Sequence, residues 1–255
     1  MVRAAVLRCA GTNCERETVL ALERAGARAD LLHVREVYGS PERLRAYGIV
    51  VFPGGFSYGD HVGAGKIQAL ETRLHLFDAL HSLAERGGIV LGICNGFQVL
   101  AKCGLLPGLR RGAVETTLAA NDSGRYEDRW VRLRVEDSRA TWLPKGLVLE
   151  TPTAHGEGKF LARDAPALEA IERERLVAFR YLGPSGETAV YPWNPNGSQN
   201  GIAGLCDPSG RILGLMPHPD RNTLFHHAPD WTRRSERGEG AGAVLFRALV
   251  AAARG

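Results

Sequence analysis

Short apolar runs alternate with helical patterns through the first hundred residues of the chain. Four runs predict buried strands, at residues 4–7, 29–34, 49–52 and 88–91. Between them, a helical face carries Val19, Leu20, Leu22 and Ala25, residues 41–47 predict a short helix, and a long helix is predicted from about residue 65 to residue 86. Strands and helices that alternate at this spacing predict an α/β fold with a parallel sheet covered on both faces.

The second half of the chain has a different pattern. Residues 112–120 and 129–135 predict strands, and the second alternates apolar with polar positions, as expected when one face meets water. Further strands are predicted at 147–150, 177–181, 202–206 and 212–216, separated by turns rich in Gly, Pro and Asn, and a closing helix at 243–253. We expect antiparallel strands added to the parallel sheet within a single domain over residues 1–255, with a polar, mobile segment at 222–242.

Composition narrows the class of protein. The 255 residues carry a formal net charge of only +4, and the basic residues are scattered among acids, so nucleic-acid binding is not indicated. Five cysteines, an odd number without a disulfide spacing, favour a reducing cytoplasm. No apolar run approaches the length of a membrane span, and the N-terminus has no long apolar segment of the kind found in signal peptides. We therefore expect a cytoplasmic protein that acts away from membranes.

One stretch predicts a nucleophile. Cys94 follows the apolar run at 89–91 and precedes a predicted helix, with Gly92 and Gly96 on either side, which is the G-x-C-x-G form of a nucleophile elbow. The glycines are expected to allow a sharp turn, and the start of the helix favours the thiolate and directs the Asn95 amide toward an oxyanion. The alternative is a buried cysteine in a tight turn.

A cysteine nucleophile needs a base, and two His-x-acid pairs compete for this role. His218 and Asp220 follow the predicted strand at 212–216, which would place them at the same sheet edge as Cys94 if that strand is parallel to its neighbours. His155 and Glu157 lie in a glycine-rich stretch that suits either a pocket loop or a plain turn. We choose His218 with Asp220 and expect His155 to line the substrate loop.

The Gly54-Gly55 pair follows the third strand and offers amide groups for an oxyanion, although an ordinary turn between strand and helix has the same composition. Residues 59–67 fail the phosphate-loop pattern, because Asp60 and Ile67 stand where Gly and Ser or Thr are required. No Cys-x-x-Cys or His-x-x-x-His spacing occurs, so no metal site is predicted. The chain is not expected to hold a cofactor of its own.

These residues together resemble the class I (triad) glutamine amidotransferases, and within them the glutaminase subunits of phosphoribosylformylglycinamidine synthases. The resemblance spans most of the chain, in the order Phe52-Pro53-Gly54-Gly55-Phe56-Ser57-Tyr58-Gly59-Asp60, Gly92-Ile93-Cys94-Asn95-Gly96-Phe97-Gln98, Ala154-His155-Gly156-Glu157-Gly158, Asn194-Pro195-Asn196-Gly197-Ser198 and Gly214-Leu215-Met216-Pro217-His218-Pro219. It implies a flavodoxin-like sheet with added antiparallel strands.

The resemblance also implies residue roles. Cys94 would be the nucleophile, His218 the base, and Asp220 the carboxylate that orients the base, at a position where the family commonly has Glu. Substrate and oxyanion contacts would come from Gly54, Gly55, Asn95, Gln98 and His155.

The implied activity is hydrolysis of glutamine to glutamate and ammonia. The ammonia would pass through a tunnel to a synthetase subunit that uses ATP and magnesium to form formylglycinamidine ribonucleotide in purine biosynthesis, in a complex with a small third subunit. Two alternatives stay open at this point: a stand-alone cysteine hydrolase that acts on another amide or ester, and a catalytically silent binding subunit.

Overall fold

A nine-stranded mixed sheet forms the centre of the fold in the computed structural model, which describes residues 1–187, 190–235 and 237–254. In sheet order, its strands are β2 (Arg28–His33), β1 (Arg3–Arg8), β3 (Ile49–Phe52), β4 (Ile89–Ile93), β11 (Ile212–Leu215), β10 (Ile202–Cys206), β9 (Val177–Leu182), β6 (Glu127–Val135) and β7 (Val148–His155). Two further strands, β5 (Thr116–Ala119) and β8 (Lys159–Ala162), pair separately.

The first five strands of this order are parallel: the apolar runs predict this for β2, β1, β3 and β4, and β11 joins them in the same direction. Every residue of β3, β4 and β11 is buried, because helices cover both faces of the parallel part. β11 pairs with β4 in parallel, and Leu215 lies opposite Ile93. The carboxyl ends of the two strands therefore meet at one edge of the sheet, which is where ligands bind in such folds.

Seven α-helices lie among the described residues: α1 (Glu15–Arg24), α2 (Val34–Tyr38), α3 (Lys66–His75), α4 (Phe77–Glu85), α5 (Asn95–Lys102), α6 (Ala165–Arg173) and α7 (Gly242–Ala252). Six 3-10 turns accompany them, at Pro41–Ala46, Ser57–Asp60, Gln199–Gly201, Pro219–Arg221, Phe225–His227 and Trp231–Arg233. The prediction of one long helix over residues 65–86 is wrong. Leu76 leaves helical geometry at φ −119° and ψ −8°, so that α3 packs on α5 while α4 packs on β4.

The remaining four strands are antiparallel, as predicted, but they curl strongly. β7 is four positions from β11 in the sheet, yet the His218 amide donates a hydrogen bond of 2.8 Å to the Pro152 carbonyl of β7. β7 also runs through His155 rather than ending at residue 150. The antiparallel half therefore brings the end of β7 back to the edge where β4 and β11 end.

The segment at 222–242 contains more structure than its composition indicates. Asn222 and Thr223 are buried, and Leu224 pairs with Glu239 in an antiparallel bridge. β8 and α6 were not predicted, because their short apolar patterns are interrupted by charged residues. Among the helices that the structure describes, none combines the length and apolar character that crossing a bilayer demands.

Candidate active site

Cys94 occupies the corner between β4 and α5 with an unusual backbone. Its φ is +52° and its ψ is −106°, a combination that residues with a Cβ rarely adopt. The flanking glycines serve a different purpose from the predicted one. A Cβ at Gly96 would lie 1.9 Å from the Phe52 carbonyl oxygen, and one at Gly92 would lie 2.6 Å from the Gly96 oxygen. Cys94 itself makes the turn, and the glycines allow β3, β4 and α5 to pack closely around it.

His218 reaches the same edge from β11. Its ring is 2% exposed, and Nδ1 lies 3.3 Å from Oδ1 of Asp220, whose side chain is fully buried. Burial disfavours the charged imidazolium, but the Cys94 sulfur and the Asp220 carboxylate outweigh burial and raise the pKa of His218 well above its ordinary value. The fold therefore places His218 beside Asp220, as the sequence predicts.

The first turn of α1 packs against this pair. Thr18 Oγ1 lies 3.1 Å from Oδ2 of Asp220, and the Arg221 guanidinium donates a hydrogen bond of 3.0 Å to Cys14 Sγ. Burial raises the pKa of the Cys14 thiol. Sequence reasoning missed Thr18 and Cys14, since more than 200 residues separate them from their partners and no local pattern marks them.

Cys94 opens into a small cavity of about 140 Å³. Cys94 is 5% exposed, and its thiol donates a weak hydrogen bond of 3.6 Å to the Ala154 carbonyl. The walls come from four places in the chain: Gly55, Phe56, Asp60, Ala64, Gln98, Tyr126 and residues 154–157. A space of this size suits a small substrate side chain rather than a polymer.

The Asn95 and Gln98 side chains hold the cavity walls together. Asn95 Oδ1 accepts from the Ser57 amide at 3.0 Å, and Asn95 Nδ2 donates to Asp60 and to Gln98. Gln98 Nε2 donates in turn to the Glu157 carbonyl at 2.5 Å. Burial raises the pKa of Asp60, which lines the cavity with φ +54°. These contacts connect α5 to the loops on both sides of Cys94.

Glu157 is a second carboxylate at the cavity, and it is already paired with a cation, Lys102. Its oxygens accept from the Ala64 amide at 3.2 and 3.1 Å, and Lys102 Nζ lies 3.2 Å away with a side chain only 10% exposed. Lys102 also donates to the Ala64 carbonyl. The pair therefore fixes the loop around Ala64 against the end of β7.

His155 borders the cavity, but its ring is committed to a buried network. Asn121 Nδ2 donates to two main-chain carbonyl groups, so the Asn121 Oδ1 atom is the one that faces His155 Nδ1, at 3.1 Å. On the other side of the ring, Asn196 Nδ2 lies 3.4 Å from His155 Nε2. Burial lowers the pKa of His155 to about 4. The ring is therefore neutral near pH 7 and positions the end of β7.

The Gly54-Gly55 pair needs its glycines for close approach. A Cβ at Gly54 would lie 2.4 Å from Cε1 of His218, and Gly55 has φ +144° with a would-be Cβ 2.8 Å from the Gly11 oxygen. The loop is held in place because the amides of Asn13 and Cys14 donate to the Gly54 carbonyl. The backbone of this pair thus lies beside both His218 and the cavity.

A larger cleft of about 570 Å³ near Tyr191 contains neither a cysteine nor a histidine. Across residues 1–187, 190–235 and 237–254, no group of three or more His, Cys, Asp or Glu side chains could hold a metal ion. The chemistry-bearing residues therefore converge at Cys94.

Comparison with known proteins assigns the class first. The family of CobB/CobQ-like glutamine amidotransferase domains matches residues 1–251. The chain is 41% identical to the phosphoribosylformylglycinamidine synthase subunit PurQ of Dehalococcoides mccartyi over 99% of this chain and 98% of the relative. It is 38% identical to the PurQ subunit of Archaeoglobus fulgidus over 98% of this chain and 96% of the relative.

A solved structure agrees with these relatives. A chain in the structure of PurLQS from Thermotoga maritima superposes with a TM-score of 0.72 and 29% identity over 98% of this chain and 99% of that chain. By fold and by family, the chain is thus a glutamine amidotransferase. Within that class, the chain belongs to the family of PurQ subunits of phosphoribosylformylglycinamidine synthase.

Proposed function

We propose that this chain is the glutaminase of a phosphoribosylformylglycinamidine synthase, with Cys94, His218 and Asp220 as its triad. The chain would hydrolyse glutamine to glutamate and ammonia and supply the ammonia to a synthetase partner. The observation that carries the triad is the parallel pairing of β4 with β11, which brings the strained corner at Cys94 and the His218–Asp220 pair to one sheet edge. Membership of the PurQ family supports the overall activity.

The chemistry follows from these positions. His218 accepts the Cys94 proton, and the thiolate attacks the side-chain amide carbon of glutamine to form a C–S bond. The amides of Gly55 and Asn95 stabilise the oxyanion, helped by the amino end of α5. His218 then returns the proton to the leaving nitrogen as the C–N bond breaks, which releases ammonia. Water hydrolyses the thioester, giving glutamate and free Cys94.

The carboxylates at the cavity suit the other end of the substrate. Glutamine carries an α-ammonium group, and Asp60 lines the cavity without a cationic partner within 4 Å among the described residues, whereas Glu157 is paired with Lys102. We infer that Asp60 attracts the ammonium group. Asn95 and Gln98 act by keeping Asp60 and the end of β7 in place.

The surface around the cavity suits a protein partner. Phe56 and Tyr126 are 43% and 52% exposed, their rings lie 6.4 Å apart, and both border the cavity. Exposed apolar side chains at the mouth of a site are typical of an interaction surface. In the proposed complex this surface faces the synthetase, which uses ATP and magnesium, and a small third subunit completes the assembly. Ammonia that reached water would be protonated and unreactive, so a closed path is required.

The decisive measurement is glutamate formation from glutamine, with and without the synthetase, in the native chain and in Cys94→Ala. We expect activity that rises with the partner and is lost in Cys94→Ala. Cys206→Ala is the matched control. Cys206 is also a buried cysteine at the end of a strand, but β10 runs antiparallel to β11, so Cys206 lies at the opposite edge of the sheet from Cys94. Glutaminase activity that persists in Cys94→Ala, or is absent from the native complex, would overturn the proposal.

A further inference from the structure

We propose that Thr18 is a positioning residue that orients the Asp220 carboxylate toward His218, an inference that rests on the proposed triad. Thr18 lies on α1 and is fully buried, 202 residues before Asp220 in the sequence. Its Oγ1 lies 3.1 Å from Asp220 Oδ2 and 2.9 Å from the Cys14 carbonyl oxygen. The hydroxyl therefore has two acceptors for a single hydrogen.

The carboxylate is the acceptor that this hydrogen prefers. If the Thr18 hydroxyl donated to the Cys14 carbonyl oxygen, a lone pair of Thr18 Oγ1 would face the Asp220 carboxylate in a buried site. Donation to Asp220 instead forms a hydrogen bond to a charged group, which is the stronger kind. The two short distances are therefore best explained by a bond from Thr18 to Asp220, with the Cys14 carbonyl as a weaker second neighbour.

This bond determines which way the carboxylate faces. Asp220 Oδ1 lies 3.3 Å from His218 Nδ1 as an ion-pair contact, and in the described part of the chain neither atom has a partner at hydrogen-bond geometry. With Oδ2 held by Thr18, Oδ1 is kept toward the imidazole. Without the hydroxyl, the carboxylate is free to rotate about its Cβ–Cγ bond, and His218 loses a fixed partner on its Nδ1 side.

The docking of α1 does not depend on Thr18 alone. Arg221 donates to Cys14 Sγ at 3.0 Å and to Glu17 at 3.3 Å, so the first turn of α1 stays joined to the 3-10 turn at Pro219–Arg221. A change at Thr18 that keeps its volume should therefore alter the carboxylate without displacing the helix.

The experiment compares Thr18→Val and Thr18→Ser by glutaminase assay of the complex. We expect Thr18→Val to lower kcat by about tenfold while KM for glutamine changes by less than about twofold, because the base rather than the substrate site is affected. Thr18→Ser should restore kcat to within about threefold of native. Thr72→Val is the control, since Thr72 is an equally buried helical threonine whose Oγ1 has no hydrogen-bond partner among the described residues.

The Thr18 substitutions are then repeated in a chain that also carries Asp220→Ala. This comparison distinguishes a role of Thr18 in positioning the carboxylate from a role in helix packing. We expect Thr18→Val to cause no further loss in that background. An equal loss there, or failure of Thr18→Ser to restore activity, would show that Thr18 acts through helix packing and would overturn the proposal. Native kcat in Asp220→Ala would refute the triad itself, which is a separate result. Should Thr18→Val not fold, Thr18→Ala gives the same comparison.

Discussion

The main-chain amide of His218 donates a hydrogen bond of 2.8 Å to the carbonyl oxygen of Pro152. Pro152 belongs to β7, and three strands lie between β7 and β11 in the sheet. A second bond, from Asn222 Nδ2 to the Glu150 carbonyl, supports the same contact. The proposed base is therefore anchored to the strand whose end carries Ala154 and borders the cavity, so the antiparallel half of the sheet contributes to the candidate active site.

The packing of Gly96 against Phe52 predicts a severe effect for one added methyl group. We expect Gly96→Ala to lower the free energy of unfolding by at least about 2 kcal/mol and to abolish glutaminase activity, because the new Cβ would lie 1.9 Å from a carbonyl oxygen. Urea denaturation and the glutamate assay measure both effects. Gly39→Ala is the control, since its Cβ would meet its nearest neighbour at an ordinary 3.5 Å. Native stability in Gly96→Ala would contradict the close packing.

The backbone strain at Cys94 predicts that a glycine variant is more stable than an alanine variant at this position, which is the reverse of the usual order. We expect Cys94→Gly to be more stable than Cys94→Ala by about 1 kcal/mol, because glycine adopts φ +52° without steric cost. Both variants should be inactive. At Cys206, within a strand of ordinary geometry, the glycine variant should be the less stable one. Thermal or urea denaturation of the four variants tests the difference, and the same order at both positions would argue against strain at Cys94.

The buried His155 predicts a specific pH dependence of stability. Burial lowers its pKa in the folded chain to about 4, below the value near 6.5 of an exposed histidine, so the unfolded chain binds more protons between these values. The contribution of neutral His155 to the free energy of unfolding is therefore complete above about pH 6.5, and it decreases by up to roughly 3 kcal/mol as pH falls toward 4.

Urea denaturation across this range measures the effect. His155→Gln should lose stability at pH 7 but show a shallower decrease toward pH 4 than the native chain. Comparison of the two proteins removes the contribution of His218, whose pKa shifts in the opposite direction. Parallel pH curves would show that His155 is not buried in its neutral form.

The Asp60 carboxylate, which has no cationic partner among the described residues, predicts a change in substrate affinity. We expect Asp60→Asn to raise KM for glutamine by about tenfold and to change kcat by less than about threefold, because the substituted amide can still accept hydrogen bonds from Gly65 and Asn95 but no longer attracts the α-ammonium group. Asp122→Asn should leave KM unchanged, since Asp122 is paired with Lys159. A loss confined to kcat in Asp60→Asn would place Asp60 outside the substrate site.

Local patterns in the sequence were sufficient for the elements that carry the proposed chemistry. The apolar runs before Gly54 and Cys94 predicted β3 and β4, and the run before His218 predicted β11, because a strand buried on both faces must be apolar throughout. The elbow at Cys94 was visible for a similar reason, since close packing around it admits only glycine at two fixed offsets. The single-domain organisation and the residue roles stay predictions.

The tertiary structure decided what depends on contacts between distant parts of the chain. The curl that brings β7 to His218, the network that holds His155 neutral, and the contact of Thr18 with Asp220 leave no periodic signal in the sequence. Each is a polar contact between residues far apart along the chain, and its geometry is set by how whole layers pack. Hydrophobic periodicity and two glycine offsets therefore determined the strands and the position of the proposed nucleophile, whereas packing determined which polar groups surround it.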